Sequence, residues 1–269
     1  MAIGGRTRVF AILGDPVAQS LSPAMYNAAF RALGLDAVYV PLPCAAEDVP
    51  ALVRVLTGAG GGGNVTVPHK SVAARSVEHV SQRVRTLGAC NTFWAGHDGS
   101  RGENTDVEGV LEALDALGAP STTWLVLGTG GAARAVVAAA RERGACLVVR
   151  SRSAERAAAF VAWAGDHGVA TADACAECEV VVNATPLGLH RHDPLPLEPS
   201  AAPGARYALD LVYRRGETDW VRACRAAGLR AADGRGMLVS QGAAAFRCWF
   251  PELDPPVELM RAAVEAALR

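Results

Sequence analysis

The sequence predicts an α/β protein built on parallel sheets. Three observations carry this reading. Short apolar runs of strand length alternate with helix-periodic runs along the chain. A G-x-G-x-x-A turn stands directly between one such run and an Ala-rich helix. No internal repeat, and no low-complexity segment longer than the glycines at 60–63, interrupts the alternation.

Residues 8–13 read as a buried strand and 14–17 as a turn. A helix follows from Ser22 to about Gly34, with Ser22 as the expected N-cap, Pro23 at the first helical position and Gly34 at the end. Strand 37–42 and helix 48–56 lead to glycines 60–63, which read as a flexible run. Val65 and Val67 alternate as a short strand that Pro68 ends, so Lys70 is expected on the loop or helix start beyond the strand's C-terminal end, where open α/β sheets keep their ligands. Residues 88–94 read as a strand and 107–117 as an amphipathic helix, after which 118–122 break the pattern. Strands are expected at 123–127, 146–149, 179–183 and 207–213, with a helix from the glycine turn to about Arg143. The last stretch, 237–269, reads as helical with a proline break at 255–256.

Composition narrows the function. The 269 residues are 51% hydrophobic and 20% charged, ordinary for a chain with a sizeable core. With 26 basic and 27 acidic residues the formal net charge is −1, so no long-range field recruits nucleic acid or an anionic membrane. No apolar run is long enough to span a bilayer and no signal-peptide layout opens the chain, so the cytoplasm is the expected location. Seven scattered cysteines read as reduced thiols rather than a disulfide framework. Cys175 and Cys178 form a C-x-x-C without further ligands nearby, and no metal is expected.

Of the 26 basic residues, 25 are arginine and one is lysine, Lys70. Arginine does not release its proton at any useful pH, whereas lysine does. Lys70 is therefore either an exposed surface residue or the one side chain able to trade a proton as an amine. Asn64 and Thr66 precede it, and Asn104 and Thr105 precede Asp106 in a similar way. A lysine paired with a carboxylate can exchange the hydroxyl proton in a reversible alcohol–ketone oxidation. Asp106 could alternatively cap the 107–117 helix, or do both.

The glycine turn comprises Gly128, Thr129, Gly130, Gly131, Ala132 and Ala133. At a strand-to-helix junction such glycines admit a pyrophosphate to the helix N-terminus; the plain alternative is a tight turn. After the next strand an NAD binder carries an acid for the ribose 2′-hydroxyl. Here stand Arg150, Ser151, Arg152, Ser153 and Arg156, which suit a 2′-phosphate, so NADP is preferred.

The motifs Gly14-Asp-Pro-Val-Ala-Gln-Ser20-Leu-Ser22-Pro, Asn64-Val-Thr-Val-Pro-His-Lys70, Gly88-Ala-Cys-Asn91-Thr and Asn104-Thr-Asp106 occur in that order. They are followed by Gly128-Thr-Gly-Gly-Ala-Ala-Arg134, Val182-Asn-Ala-Thr-Pro186, Asp210-Leu-Val-Tyr213 and Asp233-Gly-Arg-Gly-Met-Leu-Val-Ser-Gln241. Together they span nearly the whole chain, and the chain resembles the shikimate dehydrogenase family. The resemblance implies two domains: an N-terminal α/β substrate domain, 1–106, joined by returning C-terminal helices, 237–269, and a Rossmann NADP domain, 107–236. It implies interconversion of 3-dehydroshikimate and shikimate, in chorismate and aromatic amino acid biosynthesis, by a monomer or homodimer.

Carried onto this sequence, Lys70 and Asp106 are the proton-transfer pair. Ser20 and Ser22 hold the substrate carboxylate, with Tyr213 near it. Thr66, Asn91, Asp106 and Gln241 hold the ring hydroxyls. Arg152, between Ser151 and Ser153, takes the 2′-phosphate, and Asn183, Thr185, Leu211 and Gly234 line the cofactor and nicotinamide side. Ser22 caps a helix whether or not it binds, Tyr213 could be core packing, and His69 is expected to face away from Lys70. A buried amide such as Gln241 on an otherwise apolar helix is better explained as a ligand than as core.

The chain departs from the family pattern at Gln19, where histidine is common, at Tyr26-Asn27 in place of His-Asn, and at Ser151-Arg152-Ser153 in place of Asn-Arg-Thr. The first two are expected near the substrate pocket and bear on substrate choice. Quinate-using relatives often carry threonine where Ser22 stands, which leans the reading to shikimate. A quinate or aminoshikimate dehydrogenase is the neighbouring alternative. A non-catalytic NADP sensor would be expected to lack Lys70 or Asp106.

Overall fold

The computed structural model describes residues 3–166 and 177–269; Cys175 and His167 lie outside the described residues. The chain divides into two compact units. The first runs to Asp106 and resumes as Leu238–Ala267; the second is Val107–Met237.

In the first unit the elements are β1 (Arg8–Gly14), α1 (Ser22–Ala32), β2 (Ala37–Pro43), α2 (Val49–Gly58), β3 (Gly62–Val65), α3 (Lys70–Ser76), β4 (His79–Val80), α4 (Gln82–Leu87), β5 (Thr92–Gly96) and β6 (Gly99–Glu103). They form one sheet of order β2-β1-β3-β5-β6-β4. β1 pairs in parallel with β2 and β3, but β5 is antiparallel to both β3 and β6, so this sheet is mixed where an all-parallel one is expected. The cause is local: Gly96 pairs with Gly99 across His97-Asp98, a hairpin turn too short for a crossover, and Gly99 takes φ +132.

Alternation along β1 sorts the core. Ala11 and Leu13 face Val49, Val53 and Phe93 on one side. On the other, Phe10 packs against Phe30, Trp249 and Phe250, with ring centroids 4.9–5.6 Å apart. These last two aromatics come from α9 (Arg235–Trp249) and the residue after it, and α10 (Val257–Ala267) completes the return.

The glycines at 60–63 are not a flexible linker. Gly62 and Gly63 lie in β3, and Gly61–Gly63 are buried. A Cβ on Gly61 would stand 2.0 Å from the Val9 carbonyl oxygen, one on Gly62 2.4 Å from that of Phe93, and one on Gly63 2.0 Å from that of Ala11. Three carbonyls, two from β1 and one from β5, approach where side chains would otherwise be. Gly63→Ala is therefore expected to cost about 3 kcal/mol or more by forcing β1 and β3 apart. A urea unfolding midpoint equal to that of the parent chain would contradict this packing.

The second unit holds α5 (Asp106–Leu117), which opens on the last residue of the first, then β7 (Thr123–Leu127), α6 (Gly131–Arg143), β8 (Cys146–Arg150), α7 (Ala154–Asp166), β9 (Val180–Asn183), β10 (Tyr207–Asp210), α8 (Asp219–Ala226) and β11 (Arg230–Ala232). Its sheet, order β11-β10-β9-β7-β8, is parallel throughout. Strand order reverses between β7 and β9, which is the ligand position of a doubly wound sheet. β10 ends at Asp210 rather than Tyr213 because the Asp210 carboxylate accepts the Val212 N–H and turns the chain out of the sheet.

Candidate active site

In the first unit three loops meet beyond the sheet. The Val65 N–H donates to the Asn91 carbonyl, the Cys90 N–H to the Lys70 carbonyl, and the Asn91 N–H to the Glu103 carbonyl. This stitching brings together Lys70, the first residue of α3, and Asp106, the first of α5. The Lys70 ammonium donates to Asp106 Oδ2, and the two side chains are 13% and 8% exposed. A pair this buried but still open to one side can bind a small polar molecule and exchange a proton with it.

Asp106 does not spend its carboxylate on capping α5. Its Oδ1 accepts Asn91 Nδ2 at 2.8 Å, while its own N–H donates to Asn104 Oδ1. Asn91 Nδ2 also reaches Thr105 Oγ1 at 3.1 Å and Gln241 Oε1 at 3.5 Å. Gln241, buried on α9, donates its Nε2 to the Leu238 carbonyl. Lys70, Asn91, Asp106 and Gln241 thus form one connected group. His69 is turned away from it, its Nε2 bonded to the Cys44 carbonyl at 2.8 Å.

Ser22 is the first residue of α1, not its cap. The N-cap is Leu21 and no side chain caps the helix. Leucine has no side-chain acceptor, which explains the absence. The Ser22 N–H donates to Ser20 Oγ at 3.3 Å, and among the described residues the Ser22 and Thr66 hydroxyls have no protein partner. Tyr26 and Asn27 both make structural contacts. Tyr26 is fully buried, stacks on Tyr39 at 4.6 Å and donates its hydroxyl to the Gly242 carbonyl. Burial holds its phenol well above the usual range. Asn27 ties both backbone groups of Tyr39 with its amide. Gln19 is exposed.

In the second unit a cavity of about 1070 Å³ opens at the strand-order reversal. Gly128, Thr129, Gly130, Ser151, Arg152, Ser153, Arg156 and Thr185 line it. Gly128 adopts φ +101, and a Cβ there would stand 3.0 Å from the Ala184 carbonyl oxygen, so the turn requires glycine. Gly131, Ala132 and Ala133 form the first turn of α6. Arg152 and Arg156 are exposed and, among the described residues, have no ion-pair partner. The lining carries one carboxylate, Glu198. The Ser153 hydroxyl accepts the Arg156 N–H and so caps α7.

Asn183 is buried behind this cavity. Its Oδ1 accepts the Thr185 N–H and hydroxyl, and its Nδ2 donates to the Leu187 carbonyl and Asp210 Oδ1. Asp210 also accepts the Thr218 hydroxyl, yet burial pushes its carboxyl up to about 6. Gly234 packs against Leu211, where a Cβ would stand 2.5 Å from the carbonyl oxygen. Tyr213 is half-buried in the loop after β10. Thr92, Thr105 and Asp210 stand in the motifs of the sequence but receive no role of their own there, and Thr218 carries no signal. Among the described residues no helix is long and apolar enough to cross a membrane, and no cluster of three His, Cys, Asp or Glu could hold a metal.

Comparison with known proteins gives the same family along the chain. The profile of the shikimate dehydrogenase substrate binding domain matches residues 12–93, and that of the shikimate 5′-dehydrogenase C-terminal domain matches 234–265. The shikimate dehydrogenase (NADP(+)) of Acidiphilium cryptum is 40% identical over 93% of each chain, and that of Anaeromyxobacter sp. strain K is 41% identical over 97% of each. Shikimate 5-dehydrogenase from Thermus thermophilus, solved with NADP(H) and shikimate, superposes with a TM-score of 0.88 at 37% identity. That match covers 96% of this chain and 99% of the other.

Proposed function

The chain belongs to the shikimate dehydrogenase family, and we propose that Lys70 and Asp106 are the proton-transfer pair of its NADP-dependent interconversion of 3-dehydroshikimate and shikimate. The observation that carries this role is the half-enclosed contact between the only lysine and Asp106.

The substrate carboxylate is held by the Ser20 and Ser22 hydroxyls; the free Ser22 hydroxyl supports this. Thr66, Asn91, Asp106 and Gln241 hold the ring hydroxyls. In reduction Lys70, as the ammonium, polarises the carbonyl oxygen and gives its proton to the forming alkoxide. In oxidation it takes that proton back as the amine. Asp106 orients Lys70 and a neighbouring hydroxyl.

The cavity of the second unit fits NADP. Gly128–Ala133 receive the pyrophosphate, Arg152 and Arg156 with Ser151 and Ser153 receive the 2′-phosphate, and Thr185, Leu211 and Gly234 face the nicotinamide end. Asn183 acts from behind, by holding Thr185 and Leu187. Three guanidiniums, counting Arg150, against one carboxylate suit a phosphate dianion rather than a bare ribose. When bound, the cofactor accepts or supplies the hydride. The reaction involves two small molecules and neither nucleic acid nor membrane, and the chain acts as a monomer or homodimer. Among the described residues Cys44, Cys90, Cys146 and Cys224 are free thiols, which supports a cytoplasmic location.

The test is NADPH formation with shikimate or quinate as substrate and NADP or NAD as acceptor. Shikimate with NADP is expected to be the preferred combination by at least about tenfold in kcat/KM. Preference for quinate would overturn the substrate reading, and preference for NAD the assignment of Arg152. Tight NADPH binding without turnover would move the chain to the sensor class.

A further inference from the structure

Behind the Lys70–Asp106 pair lies a buried chain of hydrogen bonds of which the mechanism above uses only Asn91. Tyr39 donates its hydroxyl to Asn64 Oδ1 at 2.7 Å. Asn64 Nδ2 donates to the Asn91 carbonyl at 3.2 Å and to Thr92 Oγ1 at 3.0 Å. Thr92 Oγ1 lies 3.0 Å from Asn91 Oδ1 and 3.1 Å from Thr105 Oγ1. The Thr105 N–H donates to Asn91 Oδ1 at 2.7 Å. Asn64, Asn91, Thr92 and Thr105 are all at most 5% exposed, so solvent cannot substitute for any of these bonds.

The direction of the chain is fixed by two backbone groups that have only one role each. The Asn91 carbonyl only accepts, so the side of Asn64 facing it is the NH2 and the other side is the oxygen. The Thr105 N–H only donates, so the side of the Asn91 amide facing it is the oxygen. Thr92 then accepts from Asn64 and has one proton left to give, towards Asn91 Oδ1. With its oxygen engaged by Thr92 and Thr105, the Asn91 NH2 points to Asp106 Oδ1, leaving Oδ2 for Lys70. A flipped Asn91 amide would set its oxygen against the carboxylate and break that arrangement.

We propose that Thr92 is a positioning residue for the dehydrogenase reaction: its hydroxyl, with Asn64 behind it, locks the Asn91 amide so that the NH2 faces Asp106 and holds the carboxylate in line with Lys70. The proposal rests on the catalytic role of that pair. Thr92 touches neither Lys70 nor Asp106; it acts through Asn91.

The test compares Thr92→Val, which keeps the side chain's shape and removes the hydroxyl, with Thr92→Ser, which keeps the hydroxyl. Thr92→Val is expected to lower kcat for shikimate oxidation about tenfold, the size of one lost buried hydrogen bond, with KM for NADP unchanged; Thr92→Ser is expected to stay within about twofold of the parent. A second readout needs no turnover: hydrogen exchange of the Asn91 side-chain NH2, followed by 15N NMR without substrate. It is expected to be slow in the parent and in Thr92→Ser, and at least about tenfold faster in Thr92→Val. Should Thr92→Val fail to fold, Thr105→Val removes the other hydroxyl beside Asn91 and is read in the same way. Unchanged NH2 exchange in a folded valine variant, or equal loss of kcat in the serine and valine variants, overturns the proposal. An inactive parent with intact NH2 protection overturns the assigned reaction and leaves the locked amide standing.

Discussion

Replacing Lys70 by alanine is expected to lower kcat for shikimate oxidation by about 10²–10⁴, the usual worth of a positioned proton donor or acceptor. Lys70→Arg is the sharper variant. It keeps a positive charge within reach of Asp106, so a purely electrostatic role for Lys70 predicts near-normal turnover. A guanidinium does not release its proton, so a proton-transfer role predicts a loss close to that of alanine. Asp106→Asn removes the carboxylate that accepts from both Lys70 and Asn91 and is expected to cost about 10²-fold or more. Because the two groups act as a unit, the Lys70→Ala, Asp106→Asn double variant is expected to be little slower than Lys70→Ala alone. Rates of NADPH formation for the four proteins check this. Additive losses would mean that the two residues act separately.

The second large effect is expected at Arg152. Removing one charge-assisted contact to a phosphate costs about 1.5–3 kcal/mol, so Arg152→Ala is expected to raise KM for NADP about ten- to a hundredfold. KM for NAD, which lacks the phosphate, is expected to stay within about twofold. The difference between the two cofactors is the informative quantity, since damage to the β8–α7 turn would weaken both. Arg156→Ala is expected to act in the same direction, and it leaves the cap of α7 intact because the Ser153 hydroxyl accepts the backbone N–H of residue 156. Equal weakening of NAD and NADP by Arg152→Ala would contradict the 2′-phosphate assignment.

Much of the fold is legible in the sequence where one physical signal dominates. The strands β1, β2, β7 and β8 are apolar runs bounded by turn residues, and the glycine turn after β7 marks the point where a sheet meets a helix. The hairpin β5–β6 is harder to read because its second strand, Gly-Ser-Arg-Gly-Glu, has almost no apolar content and is held by pairing to its neighbours. The glycines at 60–63 mislead for a related reason. In isolation glycine signals freedom, whereas here Val9, Phe93 and Ala11 crowd Gly61, Gly62 and Gly63 and leave no room for a side chain.

Ser22 shows how two local rules compete. A serine before proline reads as an N-cap, but the helix begins one residue earlier and the side chain turns out of that role. In the site, the lysine is conspicuous because the rest of the chain uses arginine, and its partner lies 36 residues away in a similar Asn-Thr context. For the layer behind it the sequence supplies motif positions but no roles for the threonines. Thr92 and Thr105 are common β-sheet and turn residues, and only their shared contact with the Asn91 amide distinguishes them.

The most direct test of the Lys70 assignment is the rate of NADPH formation by Lys70→Arg at saturating shikimate and NADP, measured beside the parent chain. The parent is expected to turn over steadily, and the variant to bind NADP as the parent does while turning over at least about a hundredfold more slowly. A Lys70→Arg enzyme that oxidises shikimate at close to the parent rate would contradict the assignment of proton transfer to the only lysine in the chain.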